Sequence, residues 1–176
     1  MCVIVIKQGG QARPPYKMLK ACAVANPHGF GFCTPTKSYK SLDFDCFFNE
    51  LQKVSRKEPC IIHFRYATHG SIKESNCHPF FDAFSGTWFA HNGVLGVLPD
   101  KDKTDSETAF LRYIAPSIQI YGYESRQVDN IVNKLIGSSK FAMLNNNKIR
   151  LFGKYFKFND YLCSNLRFLP YLYERF

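Results

Sequence analysis

The sequence lacks a long hydrophobic run, an internal repeat and a low-complexity segment. No stretch approaches the roughly 20 apolar residues that a membrane-spanning helix requires, so we expect a soluble chain with no membrane partner. The N-terminus has neither the basic nor the apolar segment of a secretory signal. The formal net charge is +9, yet no basic run reaches five residues, which indicates a solvated surface and no specific nucleic-acid partner.

Cysteine occurs in a pattern that fits neither a disulfide framework nor a zinc site. The count of seven is odd, and no Cys-x-x-Cys pair is present. Cys77 and His78 are adjacent, which is too close for the usual spacing of zinc ligands. We therefore predict no metal, no cofactor and a reducing, cytoplasmic environment.

Length and composition predict one packed domain over residues 1–176. A chain of 176 residues with 45% hydrophobic residues can bury a substantial core. Hydrophobic periodicity predicts helices at 16–25, from Asp43 or Asp45 to about Arg56, at 105–114 and at 124–136. It predicts strands at 2–6, 30–34, 38–42, 59–66, 87–91, 141–144, 149–152 and 161–164. This order of elements is typical of a layered α+β domain.

Cys2 follows the initiator Met1 directly and is the first candidate for chemistry. Removal of Met1 would leave a thiol and a free amine on one residue, with ordinary pKa values of about 8.5 and about 7.7–8.0. The amine could accept the thiol proton, which makes the pair a nucleophile and its base. The alternative is that Cys2 is a small buried residue that opens a strand.

Three polar motifs favour the catalytic interpretation. They are Arg65-Tyr66-Ala67-Thr68-His69-Gly70, then Asn76-Cys77-His78-Pro79, then His91-Asn92-Gly93. In this order they resemble the class II glutamine amidotransferases, a family that includes the glutaminase domains of amidophosphoribosyltransferase and glucosamine-6-phosphate synthase. The resemblance extends to Asn26-Pro27-His28-Gly29 and Thr104-Asp105-Ser106-Glu107, and more loosely to Cys163-Ser164-Asn165.

The resemblance implies a fold and a reaction. The fold would be the four-layer αββα sandwich of the N-terminal-nucleophile hydrolases. Cys2 would attack the side-chain amide of L-glutamine, ammonia would leave, and water would cleave the thioester. The side-chain amide of Asn92 and the backbone N–H of Gly93 would stabilise the oxyanion. An alternative for Asn92-Gly93 is a hairpin turn, since Asn-Gly is the strongest short hairpin signal.

The resemblance also assigns substrate-binding residues. Arg65 would bind the α-carboxylate of glutamine and Asp105 its α-amine, while Thr68 and His69 would line the carboxylate pocket. His78 would lie in the loop at residues 71–80 that closes over glutamine. A surface ion pair for Arg65 and a helix N-cap for Asp105 remain as alternatives. For His91 we expect a structural role.

The acceptor of the ammonia is open at this stage. We expect a glutaminase that docks on a separate synthase or acceptor protein. The family usually has glycine immediately after the nucleophile, whereas this chain has Val3. Val3 permits an amidase of the same fold that cleaves an amide other than that of glutamine. An inactive relative with a regulatory or assembly role, which retention of Met1 would favour, is a further alternative. A simple glutaminase and a self-contained transferase also remain as alternatives to the docked subunit.

Overall fold

The computed structural model describes residues 2–67 and 71–173, in which two antiparallel sheets pack between helices. The described α-helices are α1 (Tyr16–Ala25), α2 (Phe44–Leu51), α3 (Asp105–Ala109), α4 (Ala115–Tyr121) and α5 (Arg126–Ile136). The described strands are β1 (Val3–Lys7), β2 (Phe30–Cys33), β3 (Ser38–Ser41), β4 (Cys60–Phe64), β5 (Phe80–Asp82), β6 (Thr87–Asn92), β7 (Lys140–Asn145), β8 (Lys148–Phe152), β9 (Phe156–Phe158) and β10 (Tyr161–Cys163).

The strands form one sheet in the order β3-β2-β4-β1-β10-β9 and a second in the order β5-β6-β7-β8. Strand β1 is central to the first sheet, where it pairs antiparallel with β4 on one side and with β10 on the other. This position explains why every residue of β1 is buried.

Side-chain alternation along the strands divides the core into three apolar layers. Val3 and Val5 of β1 pack in a cluster with α1 and α2, whereas Ile4 and Ile6 pack against the second sheet. On the outer face of the second sheet, β6 and β7 pack against α3, α4 and α5. The layers are therefore helix, sheet, sheet and helix, as predicted.

Local capping explains where several helices begin. Asp43 accepts a hydrogen bond from the backbone N–H of Cys46 at 2.7 Å, which caps α2, and Ser125 caps α5 in the same way. Helix α2 ends at Leu51, so the predicted extension to Arg56 is wrong. Turns follow Leu51, and beyond them the Lys7 ammonium donates to the carbonyls of residues 55, 56 and 58.

Other differences from the predicted elements follow from tertiary context. Strands β5 and β9 are each three residues long and had no clear periodic signal. The helix predicted to end at Ile114 continues through a π-helical segment into α4. Pro116 lies in the first turn of α4, where the helix tolerates a residue without a backbone N–H. No helix among the described residues is long and apolar enough to cross a membrane.

Candidate active site

The candidate nucleophile lies where three strands of the first sheet meet. Because β1 runs antiparallel to β4 in the register Val3↔Phe64, Cys2 lies beside the residues that follow β4. The backbone N–H of Tyr66 points to Cys2 Sγ at 3.3 Å. On the other side, the side-chain amide of Asn165 donates to the Cys2 carbonyl at 2.8 Å. The thiol and the carbonyl of Cys2 are thus each held by a residue that follows a neighbouring strand.

A pocket of about 280 Å³ opens at Cys2. Four of the predicted site residues besides Cys2 line it, namely Arg65, His78, Gly93 and Asp105. The remaining wall contains a cluster of apolar side chains and a few polar ones: Tyr66, Ala67, Val94, Leu95, Val97, Pro99, His91, Lys103, Thr104 and Ser106. The structure therefore brings together residues that are up to 104 positions apart in the chain.

Arg65 and Asp105 supply opposite charges to this pocket. Arg65 is 4% exposed and donates from Nη1 to the Ser71 carbonyl at 3.1 Å, so its side chain is buried and does not lie on the surface. Asp105 Oδ2 accepts the Leu95 N–H at 3.0 Å. The N-cap of α3 is Thr104 and not Asp105, whose carboxylate instead holds the loop after β6. Both charged groups are fixed by backbone contacts.

Asn92 and Gly93 end strand β6, but they do not form a hairpin turn. Three α-helices separate β6 from its partner β7, so the hairpin alternative is wrong. Gly93 lines the pocket with φ +150, and a Cβ at this position would lie 2.1 Å from Ser139 Oγ. Only glycine fits without a shift. The Asn92 side chain is buried beside the pocket, and its Nδ2 donates to Ser164 Oγ at 2.9 Å.

Three buried histidines lie at the pocket, and two of them, His78 and His91, line it. The ring centroids of His63 and His78 lie 4.3 Å apart with their planes tilted by 39°, and His91 Nδ1 lies 2.7 Å from Ser106 Oγ. Burial lowers the pKa of His63 to about 3 and that of His91 to about 4, and it holds the pKa of His78 well below its usual value. All three are neutral at pH 7. Within residues 2–67 and 71–173, no cluster of His, Cys, Asp or Glu is arranged to hold a metal ion.

Burial is the main influence on the acidity of the Cys2 thiol. It raises the thiol pKa and outweighs the opposing effects of the Tyr66 hydrogen bond, the N-terminal charge of the chain that retains Met1, and the Arg65 charge. A raised pKa means that a base must remove the proton before the sulfur can attack. The geometry at Cys2 therefore supports a nucleophile that is activated during the reaction.

Sequence reasoning missed several residues at this site. The apolar loop at residues 94–99 carries no motif, and its position against Cys2 follows only from the fold. Ser164 and Asn165 belong to the loosest of the motifs, yet they contact Asn92 and Cys2 directly. Thr68 and His69, predicted to line the carboxylate pocket, lie outside the described residues.

Sequence comparison identifies the same family that the motifs resemble. The model of the class II glutamine amidotransferases matches residues 49–147, which is more than half of the chain. A Haemophilus influenzae protein provisionally named a glutamine amidotransferase is 45% identical over 60 residues. That match covers 28% of this chain and 20% of the H. influenzae protein.

Structural comparison finds the same fold. The glutamine phosphoribosylpyrophosphate amidotransferase of B. subtilis, solved with ADP and GMP, superposes with a TM-score of 0.64 at 19% identity. A structure described as the allosteric regulatory enzyme of purine biosynthesis gives 0.61 at 20% identity. Each match covers 98% of this chain but only 43% of the other, so the chain spans less than half of these relatives. The sandwich is of the N-terminal-nucleophile hydrolase type, as predicted.

Proposed function

The chain belongs to the class II glutamine amidotransferases, and from this premise we propose that residues 1–176 form a glutaminase domain that hydrolyses the side-chain amide of L-glutamine. One observation carries the proposal: Cys2, Arg65 and Asp105 line a single pocket of about 280 Å³. A nucleophile, a cation and an anion in one small pocket match three parts of the glutamine molecule. These parts are its amide carbon, its α-carboxylate and its α-ammonium group.

Cys2 is the proposed nucleophile and its own α-amine the proposed base. Removal of Met1 places that amine on Cys2, where its ordinary pKa of about 7.7–8.0 suits proton transfer near neutral pH. The amine takes the thiol proton as sulfur attacks the amide carbon, and it then gives this proton to the leaving ammonia. Water cleaves the resulting thioester and releases glutamate.

The backbone N–H of Gly93 and the side-chain amide of Asn92 are the proposed oxyanion donors. Gly93 lines the pocket, and Asn92 precedes it as the last residue of β6, where it is buried and pairs with Lys140 of β7. Donors that are fixed before the reaction stabilise developing charge without further reorganisation. This rigidity is the physical advantage of building the oxyanion site on a strand end.

Arg65 and Asp105 are the proposed determinants of substrate choice. The planar guanidinium of Arg65 can form two parallel hydrogen bonds to a carboxylate, and burial strengthens such charged contacts. Asp105 would accept the α-ammonium group. The proposed substrate pocket also includes His78 and, from the family motif, Thr68 and His69.

We also propose that the ammonia passes to an acceptor on a separate synthase or acceptor protein. The matched residues correspond to 43% of the B. subtilis amidotransferase, so most of that enzyme has no counterpart among them. Ammonia is small and uncharged when it leaves, so an acceptor site docked over the pocket could capture it before protonation.

The direct test is release of ammonia and glutamate from L-glutamine by the purified protein, with intact mass recorded to establish loss of Met1. Cys2→Ala should abolish release, and Cys2→Ser should reduce it strongly because a hydroxyl is a weaker nucleophile at neutral pH. Cys46→Ala is a matched control, since Cys46 is exposed and lies on α2. Release that survives Cys2→Ala, or a folded Met1-free protein that releases nothing, would contradict the proposal.

A further inference from the structure

We propose that Ser164 is a positioning residue that orients the oxyanion amide of Asn92 and fixes it relative to the nucleophile. This inference rests on the proposed function, because it assigns Asn92 the oxyanion role. It adds a determinant of catalysis that lies 72 residues from Asn92 in the chain and outside the pocket wall.

The Ser164 hydroxyl joins three strands from the two sheets. Its Oγ accepts the backbone N–H of Ile4 at 2.9 Å and the Nδ2–H of Asn92 at 2.9 Å. The backbone N–H of Ser164 donates in turn to the Ile4 carbonyl at 2.9 Å. Ser164 therefore connects β1, which begins beside Cys2, with β6, which ends at Asn92.

The Asn92 amide requires such an anchor. The last side-chain torsion of asparagine has a broad, roughly two-fold preference, so the backbone alone does not fix the direction of the amide. Asn92 Oδ1 is buried and has no hydrogen-bond partner among the described residues, which leaves the Ser164 bond as the contact that orients the group. Ser164 is 0% exposed, so water does not compete for this bond.

The next residue holds the nucleophile. Asn165 donates from Nδ2 to the Cys2 carbonyl at 2.8 Å. Ser164 and Asn165 thus fix the proposed oxyanion donor and the nucleophile residue from the same strand end. A catalytic amide displaced by even a fraction of an ångström would lose much of its interaction with the oxyanion, while the substrate's distant charged groups would still bind normally.

The test compares transition-state and ground-state affinity in Ser164→Ala. Glutamate γ-semialdehyde is the probe, since the Cys2 sulfur adds to its aldehyde carbon, the carbonyl π bond becomes an oxyanion, and the thiol proton moves to the amine. We expect kcat for glutamine to fall about 10- to 100-fold and the inhibition constant of the aldehyde to rise at least about tenfold. The KM for glutamine and the inhibition constant of glutamate should change less than about threefold.

Two further variants make the result specific. Ser117→Ala is the matched control, because Ser117 is a buried serine that donates to the Ile114 carbonyl at 2.7 Å away from the pocket. It should leave all four constants unchanged. Ser164→Cys retains the side-chain size with a weak hydrogen-bonding group, so it should show the same selective loss if Ser164→Ala does not fold.

The outcomes separate this inference from the proposed function. A wild-type kcat in Ser164→Ala would overturn the inference and leave the proposed function standing. The same holds if the inhibition constants of the aldehyde and of glutamate rise by equal factors. Absence of glutamine hydrolysis in both the wild type and Ser117→Ala would overturn the proposed function and the inference with it.

Discussion

The three buried histidines predict a steep loss of stability between pH 7.0 and pH 5.5. His63, His78 and His91 are at most 5% exposed, and burial is the main cause of their lowered pKa values. Arg65 and Lys40 further disfavour a positive charge on His63 and His78, whereas Asp105 partly opposes burial at His91. In the unfolded chain, the same imidazoles have ordinary pKa values near 6.5.

The sign of the effect follows from proton binding. Between the folded pKa of each histidine and about 6.5, the unfolded state binds a proton that the folded state does not, so stability falls as pH falls. From pH 7.0 to pH 5.5 each histidine costs about 1 kcal/mol, and the three together cost about 3–4 kcal/mol. This is a large share of the roughly 5–15 kcal/mol that stabilises a typical domain. Carboxylates titrate mostly below this range.

The assay is urea unfolding of the wild type and His63→Gln at both pH values. Glutamine can donate to the His91 carbonyl, which lies 3.1 Å from His63 Nε2, but it does not titrate. The pH-dependent change in the free energy of unfolding should therefore be about 1 kcal/mol smaller in the variant. A wild-type change below about 1 kcal/mol, or an equal change in both proteins, would refute the reasoning.

Three substitutions test other parts of the molecule. Arg65→Lys should raise the KM for glutamine about tenfold or more with little change in kcat, because the lysine ammonium is a point charge and cannot form two parallel hydrogen bonds to the carboxylate. An unchanged KM would contradict the proposed role of Arg65. Gly93→Ala should lower the free energy of unfolding in urea by about 1–3 kcal/mol, since its φ is +150 and its Cβ would meet Ser139. Lys7→Met should cost about 2 kcal/mol in the same assay, because several partly buried backbone carbonyls lose a donor, and a neutral result would show that they find other partners.

The elements that the sequence predicted well are those whose signal is local. Helix α1 begins after Pro14-Pro15 and ends before Asn26-Pro27, so chain breakers mark both ends. The β1 and β4 strands are continuous apolar runs because both of their faces are buried. The early end of α2 was not predictable, because the apolar periodicity of Phe47, Leu51 and Val54 continues into the turns after the helix, where Val54 is still buried.

The site was predictable in its residues but not in its internal contacts. The order of the motifs identified Cys2, Arg65, Asn92 and Asp105 as candidates. Whether Asp105 caps a helix or holds a loop depends on the neighbouring Thr104, because both residues are capable N-caps. The contact of Ser164 with Asn92 depends on how the two sheets are stacked, and no local pattern encodes that relation.

Antiparallel pairing explains why these distant motifs converge. The start of β1 must lie beside the ends of β4 and β10, because β1 is antiparallel to both. Cys2, Arg65 and Ser164 therefore meet at one edge of the first sheet, and the end of β6 brings Asn92 to the same edge of the second. A one-residue slip of β1 would turn its side chains to the opposite faces and move Cys2 away from Tyr66. The buried valine and isoleucine alternation of β1 prevents that slip, so the residues that stabilise the core also fix the position of the proposed nucleophile.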